Sequence, residues 1–155
     1  MTDRLTPEQR RLNMSRIRGQ DTRPEIIVRR ALHAQGYRFR LHRSDLPGKP
    51  DIVLPRWGVA LFVHGCFWHM HECDLFRWPA TRVDFWRKKI EANADRDKKA
   101  ADELLARGWK VLTIWECALK GKNRLSAESF SAALNGLIRS SAPHSELVGK
   151  NKTSP

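Results

Sequence analysis

An α/β sandwich around one mixed sheet is predicted by three features of the sequence. Short apolar runs near 37–41, 51–54, 59–63 and 109–115 have the length and β-rich composition of strands. Longer segments near 22–35, 81–108 and 126–139 carry apolar residues at helical spacing. The two kinds follow one another as α-β-β-β-α-β-α, an order that buries helices against a sheet. At 155 residues the chain suits a single domain with a substantial core.

Residues 1–20 are Arg-rich and weakly apolar, so they read as an arm or a short helix. Thr22-Arg23-Pro24-Glu25 marks a helix start. Thr22 caps, Pro24 stands in the first turn where its missing N–H is harmless, and Glu25 falls three after the cap. This helix runs to about Gln35 and stops at Gly36. Tyr37 to Leu41 alternates as a strand, and Leu46 to Pro50 is a turn. Asp51–Leu54 and Val59–Val63 form a hairpin around Pro55-Arg56-Trp57-Gly58. A long helix is expected to begin at a Thr81 cap, with Asp84 three residues on, and to reach Gly108. Trp109–Trp115 is nearly all apolar and reads as a central strand. Ser126 caps a last helix bearing Phe130, Leu134, Leu137 and Ile138. The tail, residues 140–155, has little to bury and is expected to be disordered.

Charge is the strongest compositional signal. The formal net charge is +12 and the pI about 10.4. Residues 1–50 hold twelve Lys/Arg against five Asp/Glu, so over half of the excess lies in one third of the chain. A localised basic excess favours a polyanionic partner, nucleic acid above all, over a merely solubilising role. No apolar run approaches the ~20 residues a bilayer requires, so no membrane is expected. The N-terminus lacks an apolar signal region, and three cysteines without an export signal argue for thiolates rather than disulfides. The expected location is the cytoplasm.

The stretch FVHGCFWHMHEC, Phe62 to Cys73, packs three histidines and two of the three cysteines into twelve residues. Thiolate with imidazole suits zinc, which takes four ligands in a closed structural site. Cys66, Cys73 and Cys117 supply three; Cys117 directly follows the Trp109–Trp115 strand and folds back onto the loop. His71 is the favoured fourth ligand and His69 its rival. A filled Cys3His shell leaves no position for water, so such a zinc holds structure. The alternative is three unrelated free cysteines.

Asp51 opens one strand of the hairpin and His64 ends the other, so simple pairing brings them to one sheet edge. A carboxylate there, beside a second polar group, is the layout of a nuclease Mg²⁺ site. A histidine titrating near neutrality moves the proton. A turn-capping role for Asp51 is the bland alternative, outweighed by His64, His69 and the basic charge. Trp86, Ile90, Asn93, Asp97, Ala101 and Leu104 share one face of the long helix. Asp97 on that inward face either makes an internal salt bridge or orients a catalytic histidine. Glu25 is either a capping-box glutamate or a catalytic group on the first helix. Phe67 and Trp68 sit between candidate catalytic groups. They read as a cover over the sheet end or, held by zinc, as an apolar wedge that enters between base pairs.

Taken together, Pro50-Asp51, FVHGCFWH at Phe62–His69, the His71/Cys73 pair, PATR at Pro79–Arg82, Phe85-Trp86 and WECAL at Trp115–Leu119 resemble the very-short-patch mismatch repair endonucleases. The resemblance spans about residues 10–139. It implies a divergent restriction-endonuclease-like fold, with residues 21–139 as the endonuclease domain behind the DNA-gripping arm 1–20. The implied reaction is a Mg²⁺-dependent, strand-specific nick 5′ to the T of a T:G mismatch left by 5-methylcytosine deamination, which opens repair synthesis. Carried over by position, Asp51 would ligand Mg²⁺, together with the backbone carbonyl of Val63. His69 would be the main acid/base, and His64 and Glu25 would act through waters on the metal. Asp97 would support His69. Cys66, His71, Cys73 and Cys117 would hold zinc. Phe67, Trp68 and Trp86 would form the wedge, and Met14, Arg16 and Arg18 would grip DNA from the opposite groove. The partners so implied are mismatched duplex DNA, other mismatch-repair proteins and a repair polymerase, with the chain acting as a monomer on the bacterial nucleoid. Val63 departs from the family, whose members often carry Thr there. Two further classes are a zinc-stabilised mismatch-binding module without catalysis and a restriction-type nuclease cutting paired DNA. The joint presence of Asp51, His64 and His69 favours the enzyme.

Overall fold

The computed structural model describes residues 21–150. The basic arm, with Met14, Arg16 and Arg18, lies outside the described residues. Three helices, α1 (Arg23–Ala34), α2 (Val83–Ala106) and α3 (Ala127–Arg139), pack on a five-stranded sheet. Its strands are β1 (Arg40–Leu41), β2 (Ile52–Leu54), β3 (Val59–His64), β4 (Lys110–Trp115) and β5 (His144–Leu147), side by side in chain order. The β1–β2 and β2–β3 pairs are antiparallel, while β3–β4 and β4–β5 are parallel. The sheet is therefore mixed, as the apolar runs imply.

Side-chain alternation sorts the strands between two cores. Ile52, Leu54, Val59, Leu61, Leu112 and Ile114 meet Val28 and Leu32 of α1 and Phe130, Leu134 and Ile138 of α3. On the other face, Val53, Ala60, Phe62 and Val111 meet Ala101 and Leu104 of α2. Strands covered on both faces read as unbroken apolar runs, which is why β2, β3 and β4 are legible. Gly48 fixes the turn before β2. Its φ of +72° suits glycine, and a Cβ there would stand 2.6 Å from Ala100 Cβ of α2. The turn is thereby seated under α2, and it delivers Asp51 to the sheet end.

Three expectations need correction. The first strand is only Arg40–Leu41, because Tyr37 is buried edge-on against Trp57 and bonds Asn135 through its hydroxyl. The long helix starts at Val83 behind a left-handed Arg82 (φ +52°), and no side chain caps it. Thr81 cannot cap from outside that geometry; Arg82 instead lies over the Phe85 ring at 4.3 Å. The tail expected to be disordered forms β5 up to Leu147, and residues 151–155 lie outside the described residues. One buried side chain, Leu147, and backbone pairing to β4 hold that strand, so its composition carries almost no signal. Among the described residues no helix is long and apolar enough to cross a membrane.

Candidate active site and metal cluster

The C-terminal end of β3 meets the turn before β2 and one face of α2 in an open cleft of about 960 Å³. Glu25, Asp51, His64, His69 and Asp97 all line it. The candidate residues from four separate stretches of sequence thus share one space.

Asp51 precedes β2, and its Oδ2 accepts a hydrogen bond from the Val63 amide at 2.8 Å. That bond spans the hairpin and fixes the carboxylate beside the end of β3. Burial pushes the Asp51 carboxyl up to about 6, and the nearby Glu25 charge adds to the rise. The Val63 amide and the His42 and His69 charges oppose it. A carboxylate so poised gains from a cation.

His64 ends β3 on the α2 side, as the alternation with Ala60 and Phe62 requires. Its ring lies parallel to His69, with centroids 3.8 Å apart. Burial drives the His64 imidazole down to about 3, and the neighbouring His69 charge lowers it further against the pull of Asp97. It is therefore neutral at working pH. Asp97, one helical face along from Asn93, takes a close hydrogen bond from His69 Nδ1 and stands 3.9 Å from His64 Nε2. Bonding at Nδ1 leaves His69 Nε2 as the ring atom available to a reactant. Asn93 donates to the Trp68 carbonyl at 3.1 Å and so ties the His69 loop to α2.

Glu25 is 3 % exposed. Its Oε2 accepts from the Asp21 amide at 2.9 Å and from Arg29 at 3.1 Å. Thr22 makes no side-chain cap bond, so Glu25 reaches back one residue beyond the expected box.

The second cluster lies under the same loop. Ligand atoms of Cys66, His71, Cys73 and Cys117 are all within 4.8 Å of one another. His71 Nδ1 is 3.5 Å from Cys66 Sγ and 3.7 Å from Cys117 Sγ. Backbone amides of Cys117, Leu75 and Gly149 donate to the sulfurs of Cys66, Cys73 and Cys117 at 3.3, 3.4 and 3.3 Å. The Cys66 thiol beside it, with His71 and the Gly149 amide, lowers the Cys117 thiol, while the Cys66 thiol is raised. Three sulfurs and one imidazole nitrogen at this spacing fit a four-coordinate thiolate-loving ion. His69 is held on Asp97 instead of standing with the thiols. Trp115 separates the two clusters, stacked on His71 at 4.2 Å and edge-on to His64 at 5.4 Å.

Phe67, Trp68 and Trp86 form a half-buried group with centroids 5.2–5.8 Å apart. The Lys89 ammonium lies 5.5 Å from the Trp68 ring. Sequence reasoning missed His42 and Arg29. The β1–β2 pairing brings His42 to the cleft, its amide donating to the Asp51 carbonyl at 3.1 Å. No local pattern announces that. Arg29 stands four residues after Glu25 on α1, a spacing that does flag a pair.

The family model for DNA mismatch endonuclease Vsr matches residues 2–75. A type II nicking enzyme of Xanthomonas oryzae, V.XorIIP, is 54 % identical over 127 residues, which is 82 % of this chain and 93 % of that protein. The Vsr family claims this chain. DNA mismatch endonuclease Vsr of Escherichia coli is 43 % identical, over 81 % of each chain. A type II nicking enzyme of Haemophilus parainfluenzae, V.HpaIIP, is 35 % identical over 88 % of this chain and 99 % of its own length. As a Vsr-family member the protein is a nuclease that acts on DNA. The Vsr match to residues 2–75 takes in Glu25, Asp51 and the histidine loop. Asp97 and Cys117 lie beyond it.

Proposed function

We propose that the protein makes a single Mg²⁺-dependent nick 5′ to the T of a T:G mismatch in duplex DNA, initiating very-short-patch repair on a divergent restriction-endonuclease-like fold. The observation that carries this reading is the cleft in which the half-buried Asp51 carboxylate and the Asp97-held His69 face the same space. Asp51 and the Val63 backbone carbonyl would hold Mg²⁺, which when bound supplies charge stabilisation to the oxygens around phosphorus. The raised Asp51 carboxyl fits that role. A backbone ligand needs no side-chain hydroxyl, so Val63 in place of Thr keeps the contact. His69 moves the proton at the attacking or leaving oxygen through Nε2, and Asp97 fixes its tautomer. His64 stays neutral and supports the His69 ring by stacking. Glu25 acts through a water held in the cleft.

Cys66, His71, Cys73 and Cys117 would bind zinc and stiffen the loop that carries His69, Phe67 and Trp68. Phe67, Trp68 and Trp86 then act as the wedge beside the mismatch, where weak pairing lowers the cost of opening the stack. The basic arm with Met14, Arg16 and Arg18 closes on the opposite groove. The test is a strand-resolved nicking assay with Mg²⁺ on T:G duplexes in several flanking contexts and on a paired T:A control. One nick beside the mismatched T, lost in Asp51→Ala and His69→Ala, is expected. Equal cutting of both strands in paired DNA, or mismatch binding without a nick, would overturn it.

A further inference from the structure

Behind the acidic end of the cleft lies a second group, Asp21, Glu25 and His42, with ligand atoms all within 4.8 Å of one another. Such a trio is a plausible cation seat, and a cation of the chain's own already occupies it. One terminal nitrogen of Arg29 stands 2.7 Å from Asp21 Oδ1, 3.1 Å from Glu25 Oε2 and 3.0 Å from His42 Nε2. A guanidinium only donates, so His42 Nε2 is the acceptor in that contact. The trio is also tied to Asp51. His42 donates its amide to the Asp51 carbonyl at 3.1 Å, and the Glu25 charge is felt at Asp51.

We infer that Arg29 is a positioning residue of the cleft, a built-in cation that keeps a divalent ion out of the Asp21–Glu25–His42 seat and holds the Glu25 carboxylate in place. The inference rests on the cleft's proposed role as the nicking site. Glu25 is almost wholly buried, and a buried carboxylate without a partner charge is costly. Without Arg29, two carboxylates and an imidazole face one another with nothing between them. The seat then recruits a divalent ion from solution, and that ion draws Glu25 out of position for the reaction. An ordinary helix ion pair at i,i+4 would account for the Arg29–Glu25 contact alone. It does not account for Asp21 and His42 converging on the same nitrogen, from a left-handed φ of +59° at Asp21 and +48° at His42.

The test uses the whole chain, purified with zinc supplied, as wild type, Arg29→Met and Arg29→Lys. Bound Mn²⁺ is counted by electron paramagnetic resonance, and single-turnover nicking and DNA affinity are measured on the T:G duplex. Arg29→Met is expected to bind one more Mn²⁺ than wild type. Its nicking rate should fall about 10- to 100-fold, the usual loss when an outer-shell partner goes, with DNA affinity unchanged. Arg29→Lys keeps the charge and should keep the wild-type count. An unchanged Mn²⁺ count in Arg29→Met overturns the inference whatever the rate does. So does an extra Mn²⁺ in Arg29→Lys, which keeps the question answerable if the Met variant fails to fold. The count needs no turnover, so a wild-type protein that never nicks would sink the proposed function and leave this test standing.

Discussion

Asp51 and His64 stand at opposite ends of one titration problem. Each is pushed by burial toward its neutral form, the carboxyl up to about 6 and the imidazole down to about 3. For His64 the folded value lies below the unfolded one. Its contribution to stability is whole above the unfolded value and drains away as pH falls toward 3. For Asp51 the folded value lies above the unfolded 3.8, so the fold favours the protonated acid. Its contribution is present below 3.8 and is lost as pH rises through about 6. Asp51→Asn keeps an acceptor for the Val63 amide and removes the charge. It should therefore stabilise the protein by roughly 1–3 kcal/mol at pH 8 and by almost nothing at pH 4, while abolishing nicking. Denaturant unfolding at the two pH values, without added Mg²⁺, measures this. Equal effects at both would mean that the carboxylate is not desolvated. The same sign sets the metal dependence, since a cation at Asp51 competes with a proton below pH 6.

Gly149 carries the corresponding argument at the level of elements. β5 places it against the Cys117 turn, where its amide donates to Cys117 Sγ. A Cβ there would collide with the Cys117 carbonyl oxygen and lie 2.7 Å from that of Asn123. Both are backbone atoms and cannot swing aside. Gly149→Ala should displace the segment after β5, cost about 1–3 kcal/mol as an overpacked site, and speed loss of the proposed zinc to a chelator. Wild-type thermal stability together with wild-type zinc retention would remove β5 from the account of the metal cluster. This element also marks where sequence reading stops. The helices and the two-sided strands β2, β3 and β4 announce themselves because their side chains are the interaction. β5 is held by backbone bonds to β4 and one leucine, and β1 by two residues, so neither writes itself into composition. The site divides in the same way. Asp51, the histidine loop and Asp97 are legible because carboxylates and imidazoles in apolar surroundings need a reason. His42 is not, because only strand pairing brings it to Asp51.

Across the whole molecule the decisive quantity is the net charge of +12. The described cleft presents Lys49, Lys89 and Arg96 around its acidic floor. That arrangement attracts a phosphate backbone at the rim. The arm adds Arg4, Arg10, Arg11, Arg16 and Arg18 on the N-terminal side. Each phosphate that such a residue neutralises releases condensed counterions, so affinity for DNA should fall linearly with salt on a log–log scale. A slope between roughly −4 and −8 corresponds to about four to nine phosphate contacts. Arg16→Ala with Arg18→Ala should make the slope shallower by about 2, equally for mismatched and paired duplexes, because phosphate contacts carry no sequence information. The proposed selectivity for the mismatch, assigned to the aromatic group and the cleft, should survive the change. Binding isotherms on T:G and T:A duplexes between low and physiological salt separate the two terms. An unchanged slope would take Arg16 and Arg18 off the DNA, and a loss confined to the mismatched duplex would move them from the backbone to the mispair itself.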